Sequence, residues 1–401
     1  MQDKAHIPVT GANRLKFIDM ARSIAILLML EGHFTGAALG KQWRTDEFWL
    51  YTIWHNIHGL TSPLFFTVTG LIFVYLLSGN NTIPYLQNER VKKGYSRVLE
   101  LLFWGYLIQF NILSVAQSFY YGSTFHFDWF YAFHVLQSIA IGMFFLLLIY
   151  GLFKLINKGA LYWYYLLGGL FIFGAYAILK NYIQLEEEQI AQQLKSKPDY
   201  WPIGAPKFIQ NMFYGQYSDF SFVRYSGYTV LGGMLGSLIR IYSKKAKEWW
   251  FGTGFLLTGI VISIFIQPSM HYLFSALEGI GLHPSRIYEL NATSFIRFGQ
   301  VVSLLGLLML IEKYFNVKAL LFLKIGQNTL PIYVVHVIIL YGGIFGFGLK
   351  PLLFDQNLNP WISVSISAIF IVLFAIMIKY IEPLERTYNK LLSIFKFKKV
   401  S

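Results

Sequence analysis

The sequence predicts an all-α, polytopic integral membrane protein with about ten transmembrane helices and both termini in the cytoplasm. Three observations carry this. The 401 residues are 55% hydrophobic and only 13% charged, against about a quarter charged in an average soluble domain. Apolar stretches of about 20 residues recur, the length that crosses the hydrocarbon as a helix, whereas barrel strands would alternate over about 10. Lys and Arg gather in alternate connections, as positive-inside topology requires. Residues 1–401 read as one transmembrane domain with no soluble module attached.

The first span, about 17–39, opens in "RLKFIDMARS" and closes on "LEGH". It carries no small-residue cleavage site, so it is not read as a cleavable signal. The second, about 51–78, holds two histidines and Pro63, which is expected to kink it. The third (about 98–118) follows a basic connection, and the fourth and fifth (about 129–153 and 159–179) are aromatic and aliphatic. A connection of about 181–218 then separates the fifth from the sixth span, about 219–239. Its first half, with Glu186–Glu188, suits a solvated helix. Its aromatic second half suits either an interfacial belt or stacking against a sugar. The remaining spans are about 249–274, 292–312, 327–349 and 358–381. Gly232 and Gly236 in the sixth form a small-xxx-small pattern that predicts close helix packing.

With the N-terminus inside, cytoplasmic segments hold 21 Lys and Arg and the opposite side 8. That split accounts for the net charge of +13 as topology, and no nucleic-acid partner is expected. The absence of cysteine excludes disulfides, thiolate metal sites, iron–sulfur clusters and a cysteine acyl-enzyme.

Helix geometry makes the first span chemical as well as structural. Eleven residues separate Arg22 from His33, about 20° past three full turns, and Asp19 falls about 40° from the same line. The three share one face along about 21 Å of axis, with Ile24, Leu27 and Leu28 left for lipid. Ionisable groups inside a membrane cost about 2.5–3.5 kcal/mol at its centre, so such a face is expected to line a solvated tunnel. Arg22 as a snorkelling anchor and His33 as an interhelical hydrogen bond are the plainer alternatives. Glu31 lies nearly opposite His33 and needs a separate partner. In the second span His55 and His58, three apart, are expected on one side beside Thr61 and Ser62, giving a cavity with His33, His55 and His58. No acidic third ligand stands at a familiar spacing, so no metal is expected.

"RLKFIDMARSIAILLMLEGH" resembles the first-helix signature of the transmembrane acyltransferases, which include acyltransferase family 3 and the heparan-α-glucosaminide N-acetyltransferase-like proteins. "LTSPLFFTVTG", "FHVLQSIAIG" and "IGQNTLPIYVVH" are similar to later helices of those families, and the likeness is strongest over residues 14–79. Two departures stand out: Gly32 occupies the position where many relatives place an acid directly before the His, and Ser23 replaces a Gly after Arg22. The resemblance implies acyl transfer from a cytoplasmic acyl-CoA, acetyl-CoA foremost, to a hydroxyl or amine of a carbohydrate or cell-envelope acceptor across a bacterial inner membrane. It implies His33 as general base, with His55 and His58 as support or as the base itself. His55, Ser62, Gln137 and Asn328 are candidate oxyanion donors. Arg22, steadied by Asp19, and the basic stretch Arg90, Lys92, Lys93 and Arg97 are candidates for CoA. Arg224 and Arg297 either snorkel or pair with Asp128, Glu31 or an acidic acceptor. His336 and Asn328 either face the cavity or bond between helices, and His134 shares a face with Gln137. The rival reading is a proton-coupled secondary transporter or flippase, but no internal repeat supports it.

Overall fold

A computed structural model describes residues 15–80, 82–122, 128–192, 199–280, 287–315, 319–351 and 356–395. Its elements are helices: α1 (Lys16–Ala38), α2 (Trp49–His58), α3 (Thr61–Leu77), α4 (Glu89–Leu107), α5 (Ile112–Tyr121), α6 (Val135–Ile156) and α7 (Leu161–Ala191). After these come α8 (Lys207–Phe213), α9 (Phe222–Ile241), α10 (Trp249–Gly279), α11 (Ile287–Tyr314), α12 (Leu320–Gln327), α13 (Thr329–Tyr341) and α14 (Pro360–Phe395). Among the described residues, extended pairing is limited to isolated bridges such as Leu39 with Leu358 and Trp201 with Tyr214.

Six helices among the described residues are long and apolar enough to cross a membrane, or up to eight if α4–α5, bent by 45°, and α12–α13, bent by 77°, each count as one. The continuous run Trp49–Leu77 is one of the six. α1 and α9, with 23 and 20 residues, are not among them. Both are interior helices, and a helix enclosed by neighbours has no lipid to satisfy, so it can carry Asp19, Arg22 and Glu31 or a run of glycine and serine. Most of α9 is buried, from Val223 to Ile239.

Small residues set the closest crossings. A methyl on Gly232 or Gly236 would collide with the backbone carbonyls of Thr67 and Leu71, and one on Gly70 with that of Thr229. The α3 and α9 backbones therefore touch, as the spacing of Gly232 and Gly236 predicts. In the second span the turn falls at Gly59–Leu60, between α2 and α3. Pro63 lies in the first turn of α3, where its missing N–H leaves no intrahelical bond unmade. The chain interrupts just before this proline.

α1 is seated against α3, α11, α12, α13 and α14. The Glu312 carboxylate caps its start, accepting from the backbone N–H of Lys16 at 3.0 Å and of Phe17 at 2.7 Å. These are donors that a helix N-terminus leaves without partners, and the charge suits the helix dipole. Nearly two turns on, the Ser23 hydroxyl lies 2.9 Å from the Asp19 carbonyl and 2.5 Å from the Phe322 carbonyl of α12. Near its far end Thr35 bonds Ser367 of α14 at 2.9 Å. Ser23 thus ties α1 to α12.

Candidate active site

Four helices, α1, α3, α6 and α13, line two cavities in succession. The larger, about 260 Å³, holds Arg22 and Ala25 of α1, Arg97 of α4 and Thr329 of α13. The smaller, about 90 Å³, holds Met29 and His33 of α1 with His58, Thr61 and Ser62. Arg22, Ala25, Met29 and His33 fall at i, i+3, i+7 and i+11, one helical stripe about 17 Å long. The expected single tunnel is instead divided: Phe65 and Tyr333 line both cavities. Asp19, about 40° off the line, is buried and lines neither; its carbonyl packs against Gly326 of α12.

In the small cavity His33 Nδ1 lies 2.9 Å from the Tyr341 hydroxyl. Its ring meets that of His336 edge-on at 5.1 Å. His58 lies over Gly32, and a methyl added there would overlap its imidazole. Only a residue without a side chain at position 32 leaves the space that His58 occupies. His58 also stacks on Trp54, with centroids 5.3 Å apart and planes 8° apart. The Trp54 indole N–H donates to both Glu31 oxygens, at 2.8 and 3.0 Å, and Thr35 donates to Oε1 at 2.9 Å. This is the partner that Glu31 lacked in the sequence reading.

The expected trio of His33, His55 and His58 is corrected: His58 joins His33, whereas His55 is exposed and stacks on Tyr51 at 5.7 Å. Although the two histidines are three apart, α2 packs on only one side, and the side bearing Trp54 and His58 is the one that meets α1. The basic stretch divides likewise. Arg97 lines the large cavity with Arg22 and bonds Glu100 at 2.8 Å, while Arg90, Lys92 and Lys93 are exposed on α4, Lys92 pairing with Glu89 at 3.0 Å. Arg22 donates to the Thr329 hydroxyl at 3.3 Å.

The remaining predicted residues scatter. Gln137 is fully buried where α6 meets Gly105 of α4 and faces neither cavity. Asn328 stands at the α12–α13 break and donates to the Lys324 carbonyl at 2.8 Å. His336, fully buried, joins the His33 group, meeting Tyr333 as well at 5.0 Å. His134 precedes α6, with Nδ1 3.8 Å from Asp219. Arg224 packs against the rings of Tyr176 and Tyr225 at 5.4 and 5.6 Å. Arg297 donates to the backbone carbonyl of Asn56 at 2.9 Å, steadying the end of α2 beside Gly59. The side chain of Asp128 lies outside the described residues. Tyr341, Trp54, Thr329, Phe65 and Tyr333 were not singled out from the sequence. Trp54 stands four before His58, a spacing that signals contact on a helix; Tyr341 is the last residue of α13 and carries no such signal.

Among the described residues no three His, Asp or Glu side chains cluster as a metal site requires. What the arrangement offers is a cation-lined cavity behind an imidazole-lined one, suited to an anionic donor and to proton transfer. No curated protein matches the chain. The acyltransferase-domain profile of acyltransferase family 3 matches residues 15–380, nearly the whole length, and the chain belongs to that family.

Proposed function

We propose that this membrane acyltransferase moves an acetyl group from cytoplasmic acyl-CoA to a hydroxyl or amine of a sugar or cell-envelope glycan on the far side of a bacterial inner membrane. The observation that supports this reading is the α1 stripe, which sets Arg22 in one cavity and His33 in the next along a single line. In the ten-span arrangement α1 and α9 complete the count, both termini are cytoplasmic, and Arg22 sits toward the donor side.

Arg22 and Arg97 attract the CoA phosphates, and the acyl arm extends along the stripe toward His33. In the tautomer whose Nδ1–H donates to the Tyr341 hydroxyl, Nε2 of His33 is the free base. His33 removes the acceptor's proton as its oxygen or nitrogen attacks the thioester carbon. The tetrahedral intermediate collapses, the carbon–sulfur bond breaks, and the proton passes from His33 to the departing thiolate. The products are the acetylated acceptor and free CoA. The Glu31–Trp54–His58 chain holds His58 against α1, beside the reacting carbonyl, where an imidazole N–H stabilises the oxyanion.

Purified protein in detergent or nanodiscs, given acetyl-CoA and hydroxylamine as a small acceptor, should release CoA. His33→Ala should abolish release while acetyl-CoA still binds. A folded His33→Ala protein with undiminished turnover refutes the role of His33, and wild-type protein that binds no CoA refutes the donor.

A further inference from the structure

The two cavities share helices but few side chains. On α1 the larger cavity ends at Ala25 and the smaller begins at Met29, a gap of about 6 Å of helix axis. On α3 Val68 and Thr69 belong to one, Thr61 and Ser62 to the other. On α6 the division falls between Leu136 and Val135. Only Phe65 and Tyr333 contribute to both linings. These two side chains therefore border both chambers where their linings meet, about one helical turn of α1 from each. Tyr333 is nearly fully enclosed and braced by His336. Phe65 is only half-buried and is the freer of the two.

Size gives the partition a consequence. An apolar cavity of about 150 Å³ takes benzene, six carbons, so about 25 Å³ serves each heavy atom. The 90 Å³ chamber around His33 then holds three to four heavy atoms. Acetyl has three, propionyl four and hexanoyl seven.

We propose that Phe65 and Tyr333 are the acyl-selecting residues of this enzyme: they close the His33 chamber to a volume that admits a two- or three-carbon acyl group and refuses longer chains. The inference rests on the acyl-CoA reading above and adds to it the feature that fixes acyl length. The selection acts on the acyl end of the donor, because the CoA phosphates stay at the Arg22–Arg97 end and only the acyl group has to enter the His33 chamber. Truncating Phe65 joins the two volumes, and a long chain then has room to bring its carbonyl to His33.

The test uses the full chain with acetyl-CoA or hexanoyl-CoA and hydroxylamine as acceptor. Nitrogen attacks the carbonyl carbon, the carbon–sulfur bond breaks, and the hydroxamate and CoA thiol form in equal amounts. Because the protein has no cysteine, a thiol reagent reads released CoA alone, counted above the protein-free rate at which hydroxylamine itself cleaves the thioester. In wild type, hexanoyl-CoA should be used at least tenfold less well than acetyl-CoA by kcat/KM. Phe65→Ala should raise the hexanoyl-to-acetyl ratio at least tenfold, Phe65→Leu should raise it less, and Phe65→Trp should lower turnover of both. Phe65→Leu preserves the test where the alanine variant fails to fold. Measurable acetyl turnover with a ratio within twofold of wild type in the folded variants overturns the partition alone. Wild-type protein that releases no CoA from acetyl-CoA overturns the donor reading, and the partition with it.

Discussion

Gly32→Ala is the smallest change that should reach the site. The new methyl falls on the His58 ring, so the ring must leave or α1 and α2 must separate. Overpacking of this kind costs about 1–3 kcal/mol. Losing the parallel stack of His58 on Trp54 adds about 0.5–1.5 kcal/mol. Alanine returns about 1 kcal/mol through its better helix propensity. The net is a destabilisation of about 0.5–3.5 kcal/mol. Turnover should fall about 100-fold, the usual effect of a misplacement near 1 Å at a reacting centre. Thermal denaturation in detergent and CoA release measure the two effects separately. A double-mutant cycle isolates the cause: in a His58→Ala background the methyl has room, so Gly32→Ala should be neutral or stabilising there. If Gly32→Ala is equally harmful with and without the imidazole, the seating of His58 on α1 is wrong.

Tyr341→Phe removes the hydroxyl beside His33 Nδ1 and should lower kcat about tenfold, or about 1.4 kcal/mol, with little change in KM. Glu312→Ala strips two acceptors from the start of α1 and should cost about 1–2 kcal/mol by thermal denaturation, Glu312→Gln costing less. Gly236→Val drives a side chain into the Leu71 carbonyl and should destabilise by about 3 kcal/mol or more, seen as lost folded yield on size exclusion. Trp54→Phe keeps a ring against His58 but withdraws the N–H donor from Glu31; about 1–3 kcal/mol of stability should be lost.

The helices were legible in the sequence because lipid imposes a crude and repeated demand on length and polarity. The Arg22–His33 stripe was legible for a related reason, since one period of 3.6 residues relates Arg22, Ala25, Met29 and His33 whatever surrounds them. Contacts between distant helices left no such trace. Glu31 gave no hint of Trp54, because that partner depends on how α2 leans on α1. His55 and His58 looked equivalent by spacing, yet a helix packed on one side treats neighbours three apart differently. The tunnel was foreseen as continuous because sequence shows which residues face inward but not how far their rings reach. Phe65 and Tyr333 border both cavities at the point where the two linings meet.

The bonds that hold α1 have an implication for how the chain is made. Glu312, Phe322, Thr329, Tyr341 and Ser367 reach it across sequence separations of 295 to 332 residues. α1 can pack on α2 and α3 early, Glu31 with Trp54 and Thr35, but its remaining partners are supplied only once residues 312–367 have been made. Synthesis must hold this polar segment in a sheltered intermediate, and a truncation before α11 should leave it in the insertion machinery or in the hands of quality control. Docking α11–α14 onto α1 is then the step that completes both the fold and the reaction centre.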